Sequence, residues 1–207
     1  EEPYQQEENA RIKEIKLSII GKPNTGKSTL LNCLTGSKLS IVSDIPGTTR
    51  DVIEGEFSYR DIKYTIYDTA GIRRKKKVTD NIEYYSVNRA IGSIDSAEVV
   101  LLMVDCEEGL TEQDKKIAYQ IVKKGRGVVL VLNKWDKMSH IPNAEQAIKD
   151  RVKFLFPILD FAPIVTISAQ EGLGIEALLD EVFKVKRQLF TRVSTSDLNK
   201  AVREWVD

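Results

Sequence analysis

A glycine-rich segment between a predicted strand and a predicted helix constrains the fold of this chain most strongly. The strand is the apolar run Ile15–Ile20, and the helix carries its apolar residues at Leu30, Leu31 and Leu34. The segment between them fits the pattern G-x-x-x-x-G-K-[ST], with the residues Gly21, Lys22, Pro23, Asn24, Thr25, Gly26, Lys27 and Ser28. In this pattern the backbone N–H groups of the loop surround phosphate oxygens at a helix N-terminus. The order strand, loop, helix therefore predicts a phosphate-binding loop rather than the alternative, an unoccupied glycine turn.

Individual residues of this loop have different expected roles. Lys27 is expected to contact the β- and γ-phosphates of a nucleotide, and the Ser28 hydroxyl is expected to bind Mg²⁺. The neighbouring Thr29 is placed among the nucleotide-binding residues. The side-chain carbonyl of Asn24 is a candidate ligand for a monovalent cation beside the phosphates, or else it braces the loop through an internal hydrogen bond.

Predicted strands and helices alternate along the rest of the chain. Glu54–Tyr59 and Lys63–Asp68, joined by a tight turn, predict a hairpin with one antiparallel pair. Three further runs are almost wholly apolar, as strands buried on both faces are: Val99–Asp105, Val128–Asn133 and Pro163–Ser168. These signals predict an α/β, three-layer P-loop NTPase fold (a Ras-like G domain). Its six-stranded sheet is mostly parallel, with one antiparallel edge strand.

Helix signals and composition suggest the domain boundaries. Thr111 and Asp114 predict a capping box, and apolar residues at helical spacing from Ile175 to Phe183 predict the last helix of the domain. The acidic, Gln-rich start predicts an inter-domain linker over residues 1–13, followed by the G domain over residues 14–192. A further amphipathic helix predicts that residues 193–207 begin another, truncated domain.

The segment after the second hairpin strand carries a second set of candidate nucleotide-binding residues: Asp68, Thr69, Ala70, Gly71 and Ile72. Asp68 is expected to hold the Mg²⁺ shell, and the Gly71 N–H is expected to contact the γ-phosphate, so that loss of this phosphate releases the segment. The alternative is an Asp-Thr turn that closes a strand. Ile72 stands where small GTPases carry a water-orienting Gln, so hydrolysis would need another way to position water.

The segment Asn133–Asp136, which reads Asn-Lys-Trp-Asp, points to a particular base. The carboxylate of Asp136 can accept hydrogen bonds from N1–H and the exocyclic amine of guanine, a pair of donors that adenine lacks. Lys134 can lay its alkyl stem along the base, and a backbone N–H at Ser168 and Ala169 can meet guanine O6. Following a phosphate loop in the chain, these residues predict a guanine-nucleotide site.

Two more segments are candidates for regulated contacts. A hydroxyl of Thr48 or Thr49, with Thr49 favoured, could complete the Mg²⁺ shell when the γ-phosphate is present; a Pro-Gly turn with capping hydroxyls is the alternative. Lys27, Thr49 and Gly71 are the residues expected to act at the γ-phosphate. The basic run Arg73–Lys77 is either a solvated surface or a contact for a polyanion such as RNA.

Composition limits the partners and the compartment. The 31 basic and 31 acidic residues cancel, so a nucleic-acid partner would need a local basic patch. Cys33 and Cys106 lie in apolar segments without metal-ligand or disulfide spacing, which predicts buried thiols of a cytoplasmic protein. No apolar run approaches the roughly 20 residues that cross a bilayer, so no membrane partner is expected. A monomer is expected, as is origin from a longer parent, because the chain does not begin with Met.

Taken together, the nucleotide-binding segments resemble those of translation-factor-class P-loop GTPases over about Lys16 to Arg192. More closely, Asp44–Asp51, Asp68–Lys75 and Asn133–Asp136 resemble the second G domain of the Der (EngA) family of bacterial tandem GTPases.

This resemblance implies a GTPase that hydrolyses GTP slowly in isolation, is stimulated by potassium, and serves biogenesis of the large ribosomal subunit through rRNA. It also implies that Asn24 binds potassium and Thr49 binds magnesium. Other functions remain open at this point. One is a guanine-nucleotide-binding module with negligible turnover, which Ile72 would permit. Another is the G domain of an MnmE-like tRNA-modification GTPase, which shares the Gly-Thr-Thr-Arg-Asp loop.

Overall fold

The structure of the protein, a computed structural model, describes residues 12–36, 53–67, 92–191 and 193–206. Its strands are β1 (Glu14–Gly21), β2 (Ile53–Tyr59), β3 (Ile62–Tyr67), β4 (Val99–Asp105), β5 (Gly127–Asn133) and β6 (Ile164–Thr166). Its helices are α1 (Lys27–Gly36), α2 (Glu112–Lys123), α3 (Ala144–Leu155), α4 (Ile175–Gln188) and α5 (Thr195–Val206). Single 3₁₀ turns occur at Trp135–Lys137 and Pro157–Leu159, and residues 92–96 are helical.

Within the described residues, six strands form one sheet in the order β2-β3-β1-β4-β5-β6. β2 runs antiparallel to β3, and every other pair of neighbours is parallel. The predicted sheet is therefore confirmed. Because the parallel strands all point the same way, β1, β4, β5 and β6 end at one edge of the sheet, where ligands of open α/β sheets bind.

The core consists of two apolar layers, one on each face of the sheet. On one face α1 and α4 pack against residues such as Leu17, Leu101 and Val129. On the other face α2 and α3 pack against residues such as Val100 and Leu130. All residues of β4 and β5 are buried, which explains why their sequences are apolar without alternation. The predicted three-layer arrangement is confirmed.

Details of the elements differ from the sequence-based expectation in places. β6 ends at Thr166, two residues before the predicted end, because Ser168 instead forms an isolated antiparallel bridge with Leu173. The hairpin turns through Arg60 (φ 49°) and Asp61 (φ 63°), both left-handed, as in the two-residue turns whose twist matches that of the strands.

The helix predicted after residue 193 is present as α5. The backbone N–H of Asp197 donates to Ser194 Oγ at 3.1 Å, and Ser194 Oγ donates to Asp197 Oδ2 at 2.6 Å, which caps the helix. Its apolar side chains Leu198 and Trp205 are 51% and 79% exposed. In the described segments, no helix combines the length and the apolar character that crossing a membrane requires.

Candidate functional site

Three of the segments singled out in the sequence meet at the carboxyl edge of the sheet. The phosphate loop follows β1, Asn133–Asp136 begins at the end of β5, and Ser168 with Ala169 follows β6. The other predicted site residues lie outside the described residues, and their roles stay predictions: Thr48, Thr49, Asp68, Thr69, Ala70, Gly71, Ile72 and the basic run Arg73–Lys77.

Two glycines allow the phosphate loop to pass close to neighbouring strands. A Cβ on Gly21 would lie 2.3 Å from the carbonyl oxygen of Met103 in β4. Gly26 has φ +94°, and a Cβ there would lie 2.1 Å from Nδ2 of Asn133. Both distances are far below a van der Waals contact, so these positions require glycine. The glycines of the motif therefore serve the packing of the loop against the sheet as well as its curvature.

Lys27 lies inside the curve of this loop. Its Nζ donates to the carbonyl oxygens of Gly21 at 2.9 Å and Lys22 at 2.5 Å. The Thr25 hydroxyl, which is fully buried, donates to the same Lys22 carbonyl at 2.9 Å. Burial lowers the pKa of Lys27 to about 8, although the negative charge of Asp114 opposes this shift. The arrangement holds one cation in a defined position within the phosphate loop.

The first turn of α1 offers one oxygen ligand for Mg²⁺. Ser28 and Thr29 lie in this turn and both are exposed. In nucleotide sites Mg²⁺ is usually bound by one or two protein oxygens together with phosphates and water, and the Ser28 hydroxyl fits such a role. The described residues contain no group of three or more His, Cys, Asp or Glu side chains that could hold a metal ion.

The side chain of Asn24 is accessible to a ligand. Asn24 adopts a left-handed backbone conformation (φ 66°), which asparagine tolerates better than most residues, and it is exposed. In the part of the chain that the structure describes, its amide makes no hydrogen bond. The alternative in which Asn24 braces the loop internally therefore has no support in the described residues.

Asn133 joins all three segments. Its Nδ2 donates to the Thr25 carbonyl oxygen at 2.8 Å, and its Oδ1 accepts from the Ala169 N–H at 3.0 Å. The side chain is only 3% exposed, and both bonds are buried. Asn133 thus connects the phosphate loop with the end of β6. Its predicted contact with the nucleotide stays a prediction.

Lys134 is held by a carboxylate at the end of the adjacent strand. It has a left-handed backbone (φ 65°), and its Nζ donates to Asp105 Oδ2 at 2.5 Å. Burial alone would raise the pKa of Asp105, but hydrogen bonds from Lys134 and from the Glu107 N–H outweigh it and hold this pKa below its usual value. Asp105 was not among the candidate residues predicted from the sequence. The sequence feature that could have identified it is a carboxylate at the end of an otherwise apolar strand.

Cys106 lies next to this ion pair. Its Sγ donates to the Lys134 carbonyl oxygen at 3.1 Å, and burial raises the pKa of its thiol to about 11. Both cysteines are free. The predicted burial is confirmed for Cys106. Cys33 is only half-buried, because it packs at the margin of the core that α1 covers.

Of the predicted base-reading residues, Asp136 and Ser168 border a cavity of about 310 Å³, whereas Asn133, Lys134 and Ala169 do not line it. Asp136 is exposed in the 3₁₀ turn after β5, and the Trp135 N–H anchors this turn by donating to the Ile167 carbonyl at 3.0 Å. The residues that line the cavity are Trp135, Asp136, Ser139, Thr166, Ile167, Ser168, Glu171, Leu173 and Gly174. Asp136 and Ser168 are therefore placed on the same opening, as recognition of one base by both requires.

Comparison with known proteins gives a family for this site. Residues 16–134 match the model of a family described as "50S ribosome-binding GTPase". GTPase Der of Borreliella burgdorferi is 50% identical over 193 residues, which cover 93% of this chain and 45% of that protein. GTPase Der of Treponema pallidum is 46% identical over 192 residues, which cover 93% of this chain and 42% of that protein. The chain therefore spans about half the length of the curated relatives it matches.

Solved structures with the same fold include other GTP-binding proteins. Era of Aquifex aeolicus, in a variant bound to GDP and AlF₄⁻, has a TM-score of 0.64 and 35% identity over 84% of this chain and 57% of its own. Era in complex with MgGDPNP and nucleotides of 16S ribosomal RNA has a TM-score of 0.63 and 34% identity, with the same coverage. The G domain of the T. maritima FeoB iron transporter, at 22% identity and a TM-score of 0.53, supports the fold alone.

The resemblance to the Der family that the sequence predicts is confirmed, and the match covers a single G domain of these relatives. Its fold, its phosphate loop and the family match agree on a G domain of the GTPase class. Since the family model covers more than half of its residues, the chain belongs to the family of GTPases described as 50S ribosome-binding.

Proposed function

We propose that this chain is the G domain of a factor that uses GTP to control a step in biogenesis of the large ribosomal subunit. The observation that carries the proposal is the family match over residues 16–134, which contain the phosphate loop and the start of the base-reading segment. The complex of Era with 16S ribosomal RNA adds that a protein of this fold can combine GTP binding with RNA binding. A cytoplasmic monomer is the form in which we expect the protein to act.

The described residues suggest how the site handles a nucleotide. Two carbonyl oxygens of its own loop hold the Lys27 ammonium, and we assign this cation to the β- and γ-phosphates. The Ser28 hydroxyl would bind Mg²⁺ together with Thr49 and Asp68. A bound Mg²⁺ supplies positive charge that stabilises the charge developing on the phosphates. The backbone N–H of Gly71 would donate a hydrogen bond to the γ-phosphate, and this bond would be lost after hydrolysis.

We assign base selection to Asp136, with Lys134, Ser168 and Ala169 beside it. The N–H of Ala169 donates to Asn133 Oδ1 and that of Ser168 to the Leu173 carbonyl oxygen, so a contact with guanine O6 would require one of these bonds to open or to be shared. In Asp136→Asn, the pair of acceptors becomes one donor and one acceptor, which suits xanthine better than guanine. We expect GTP to bind at least about 100-fold more weakly and XTP to bind better than GTP. Competition against a fluorescent guanine nucleotide measures both affinities, with the exposed Asp160→Asn as the matched control. Unchanged base preference would contradict the pocket assignment.

Potassium is proposed as the cation that compensates for Ile72, with Asn24 as its ligand. The Asn24 amide, which is exposed and makes no hydrogen bond to another described residue, supports this assignment. The decisive experiment measures phosphate release from GTP and from ATP, in potassium and in sodium, at equal ionic strength. We expect slow release from GTP only, faster in potassium. Asn24→Ala should abolish the potassium stimulation and spare nucleotide binding, whereas Asn199→Ala, an exposed asparagine on α5, should change neither. Stimulation that persists in Asn24→Ala places the cation elsewhere.

The ribosomal partner is tested by sedimentation. The chain is mixed with separated large and small subunits in the presence of GDP or a non-hydrolysable GTP analogue, and the bound fraction is measured. We expect binding to the large subunit that depends on the nucleotide and weakens when Arg73–Lys77 are neutralised, because contacts to RNA phosphates are electrostatic. Equal binding to both subunits in either nucleotide state would count against the proposal.

The domain organisation is part of the same proposal. Residues 1–13 would be an inter-domain linker and residues 14–192 the G domain, and residues 193–207 would open a further domain. The exposed apolar face of α5 supports this reading, since Leu198 and Trp205 lack a covering element among the described residues.

A further inference from the structure

Asp114 is a buried acidic side chain next to the phosphate loop. It is 0% exposed at the start of α2. Its Oδ2 accepts hydrogen bonds from the Thr111 N–H at 2.9 Å and the Thr111 hydroxyl at 2.7 Å, which confirms the predicted capping box. Its other oxygen, Oδ1, has no hydrogen-bond partner among the described residues. Burying an unpaired carboxylate oxygen is costly, and capping a helix does not require it. The position of Asp114 therefore calls for a second explanation.

The charge of this carboxylate lies next to a lysine of the phosphate loop, on the side of Oδ2, while Oδ1 stays without a hydrogen-bond partner among the described residues. Lys22 Nζ is 4.0 Å from Asp114 Oδ2 and 3.3 Å from Glu108 Oε2. The Lys22 side chain is 13% exposed and that of Asp114 0%, whereas that of Glu108 is 59% exposed. Solvent screens the pair with Glu108 strongly and the pair with Asp114 weakly, so the field of Asp114 is the more durable of the two.

Lys22 is connected to Lys27 through its own backbone. The Lys22 carbonyl oxygen accepts from Lys27 Nζ at 2.5 Å and from the Thr25 hydroxyl at 2.9 Å. A contact that restrains the Lys22 side chain reduces the conformations open to this residue, and its carbonyl oxygen is one of the two that bond the Lys27 ammonium. The negative charge of Asp114 reaches Lys27 as well, where it opposes the effect of burial on the pKa.

We propose that Asp114 is a positioning residue of the nucleotide site, which holds Lys22 from outside the loop and thereby fixes the carbonyl that orients Lys27 toward the phosphates. The inference rests on the proposed assignment of Lys27 to the β- and γ-phosphates. By this proposal, the segment from the end of β4 to the start of α2 supports the phosphate loop through its contacts with Lys22.

The test compares Asp114→Asn with Lys22→Met and with the double variant. Asparagine keeps an oxygen for the Thr111 N–H but removes the charge. We expect each single variant to bind GDP roughly tenfold more weakly, as expected for coupled charges in contact, and the double variant to be no worse than either single one. GMP lacks the phosphates that Lys27 is assigned to contact, so its affinity should not change. Titration of the two nucleotides against each variant measures these effects.

Thr111→Val is the matched control for helix capping. It removes the hydroxyl that donates to Asp114 Oδ2 but keeps the carboxylate. We expect it to lower the melting temperature about as much as Asp114→Asn does, while GDP affinity stays at the wild-type value. A loss of GDP affinity in Thr111→Val equal to that in Asp114→Asn would assign the effect to the cap and overturn the proposal.

Further outcomes separate this inference from the function on which it rests. The proposal would also be overturned if Asp114→Asn weakened the binding of GDP and GMP equally. It would be overturned as well if the loss of GDP affinity in the double variant were the product of the losses in the two single variants. If Asp114→Asn does not fold, Lys22→Met decides alone, and unchanged GDP affinity there refutes the proposal. Lys27→Met tests the underlying assignment: unchanged GDP affinity in that variant would refute both. Weakened binding in Lys27→Met with wild-type binding in Asp114→Asn would refute only the role of Asp114.

Discussion

Replacing Asn133 with alanine removes the side chain that joins the phosphate loop to the end of β6. The Thr25 carbonyl oxygen and the Ala169 N–H, both within buried residues, then lose their hydrogen-bond partner. An unpaired buried backbone group costs about 1–3 kcal/mol, so the free energy of unfolding should fall by about 2–6 kcal/mol. The lower end applies if a water molecule enters the space that the amide leaves.

The melting temperature gives the direct measurement. For a chain of this size, about 1 kcal/mol corresponds to roughly 2–4 °C, so a loss of about 3 kcal/mol lowers the melting temperature by roughly 6–12 °C. The experiment uses protein freed of nucleotide, because a ligand that binds only the folded state would mask the difference. Circular dichroism follows unfolding with temperature, and urea titration gives the free energy.

Two further variants make the result specific. Asn199→Ala removes an exposed asparagine on α5 and should leave the melting temperature within about 1 °C of the wild type, as surface substitutions usually do. Asn133→Asp keeps an acceptor for the Ala169 N–H but places a carboxylate oxygen against the Thr25 carbonyl, so it should be at least as destabilising as alanine at neutral pH. If Asn133→Ala and Asn199→Ala had equal melting temperatures, the stabilising connection that Asn133 makes between the phosphate loop and the end of β6 would be refuted.

Two other predictions concern the phosphate loop. Gly26→Ala should destabilise the fold by about 1–3 kcal/mol in urea titration, because φ is +94° and the new Cβ meets the anchored Asn133 amide. Gly36→Ala, whose Cβ would meet no other described residue within 4 Å, should not destabilise the fold, and equal effects of the two substitutions would contradict this reasoning. Burial lowers the pKa of Lys27 to about 8, so between about pH 8 and 10 the unfolded chain binds more protons and the contribution of Lys27 to stability rises with pH. Lys27→Met should therefore be more stable than the wild type at pH 7 by a margin that narrows toward pH 10, and a margin independent of pH would refute this.

The sequence predicted the elements of the fold well because their signals are local. β4 was placed at its observed bounds, since a continuous apolar run marks a strand buried on both faces. The capping box at Thr111 and Asp114 was also found, because its two residues are three apart. These patterns can be recognised without knowledge of the tertiary structure.

Contacts between distant segments were not predictable in the same way. Nothing local indicates that Lys134 bonds Asp105, 29 residues away, or that Asn133 bonds Thr25 across 108 residues. Such partners follow from strand order, and the sequence does not show which strand lies beside which. The sequence analysis therefore assigned Asn133 to the base-reading set as a whole, while the structure gives its amide a connecting role.

This connecting role bears on how the ends of the site influence each other. The base-reading turn begins one residue after Asn133, and the phosphate loop receives its only described side-chain contact from β5 through the same amide. A second link runs from Lys134 to Asp105 at the end of β4, whose following loop reaches Lys22 through Glu108. Two sets of contacts that share no side chain therefore connect the base end of the site with the phosphate loop. We expect that binding of the base orders these contacts and thereby the position of Lys27. The strands should not move, because they are buried on both faces and closely packed.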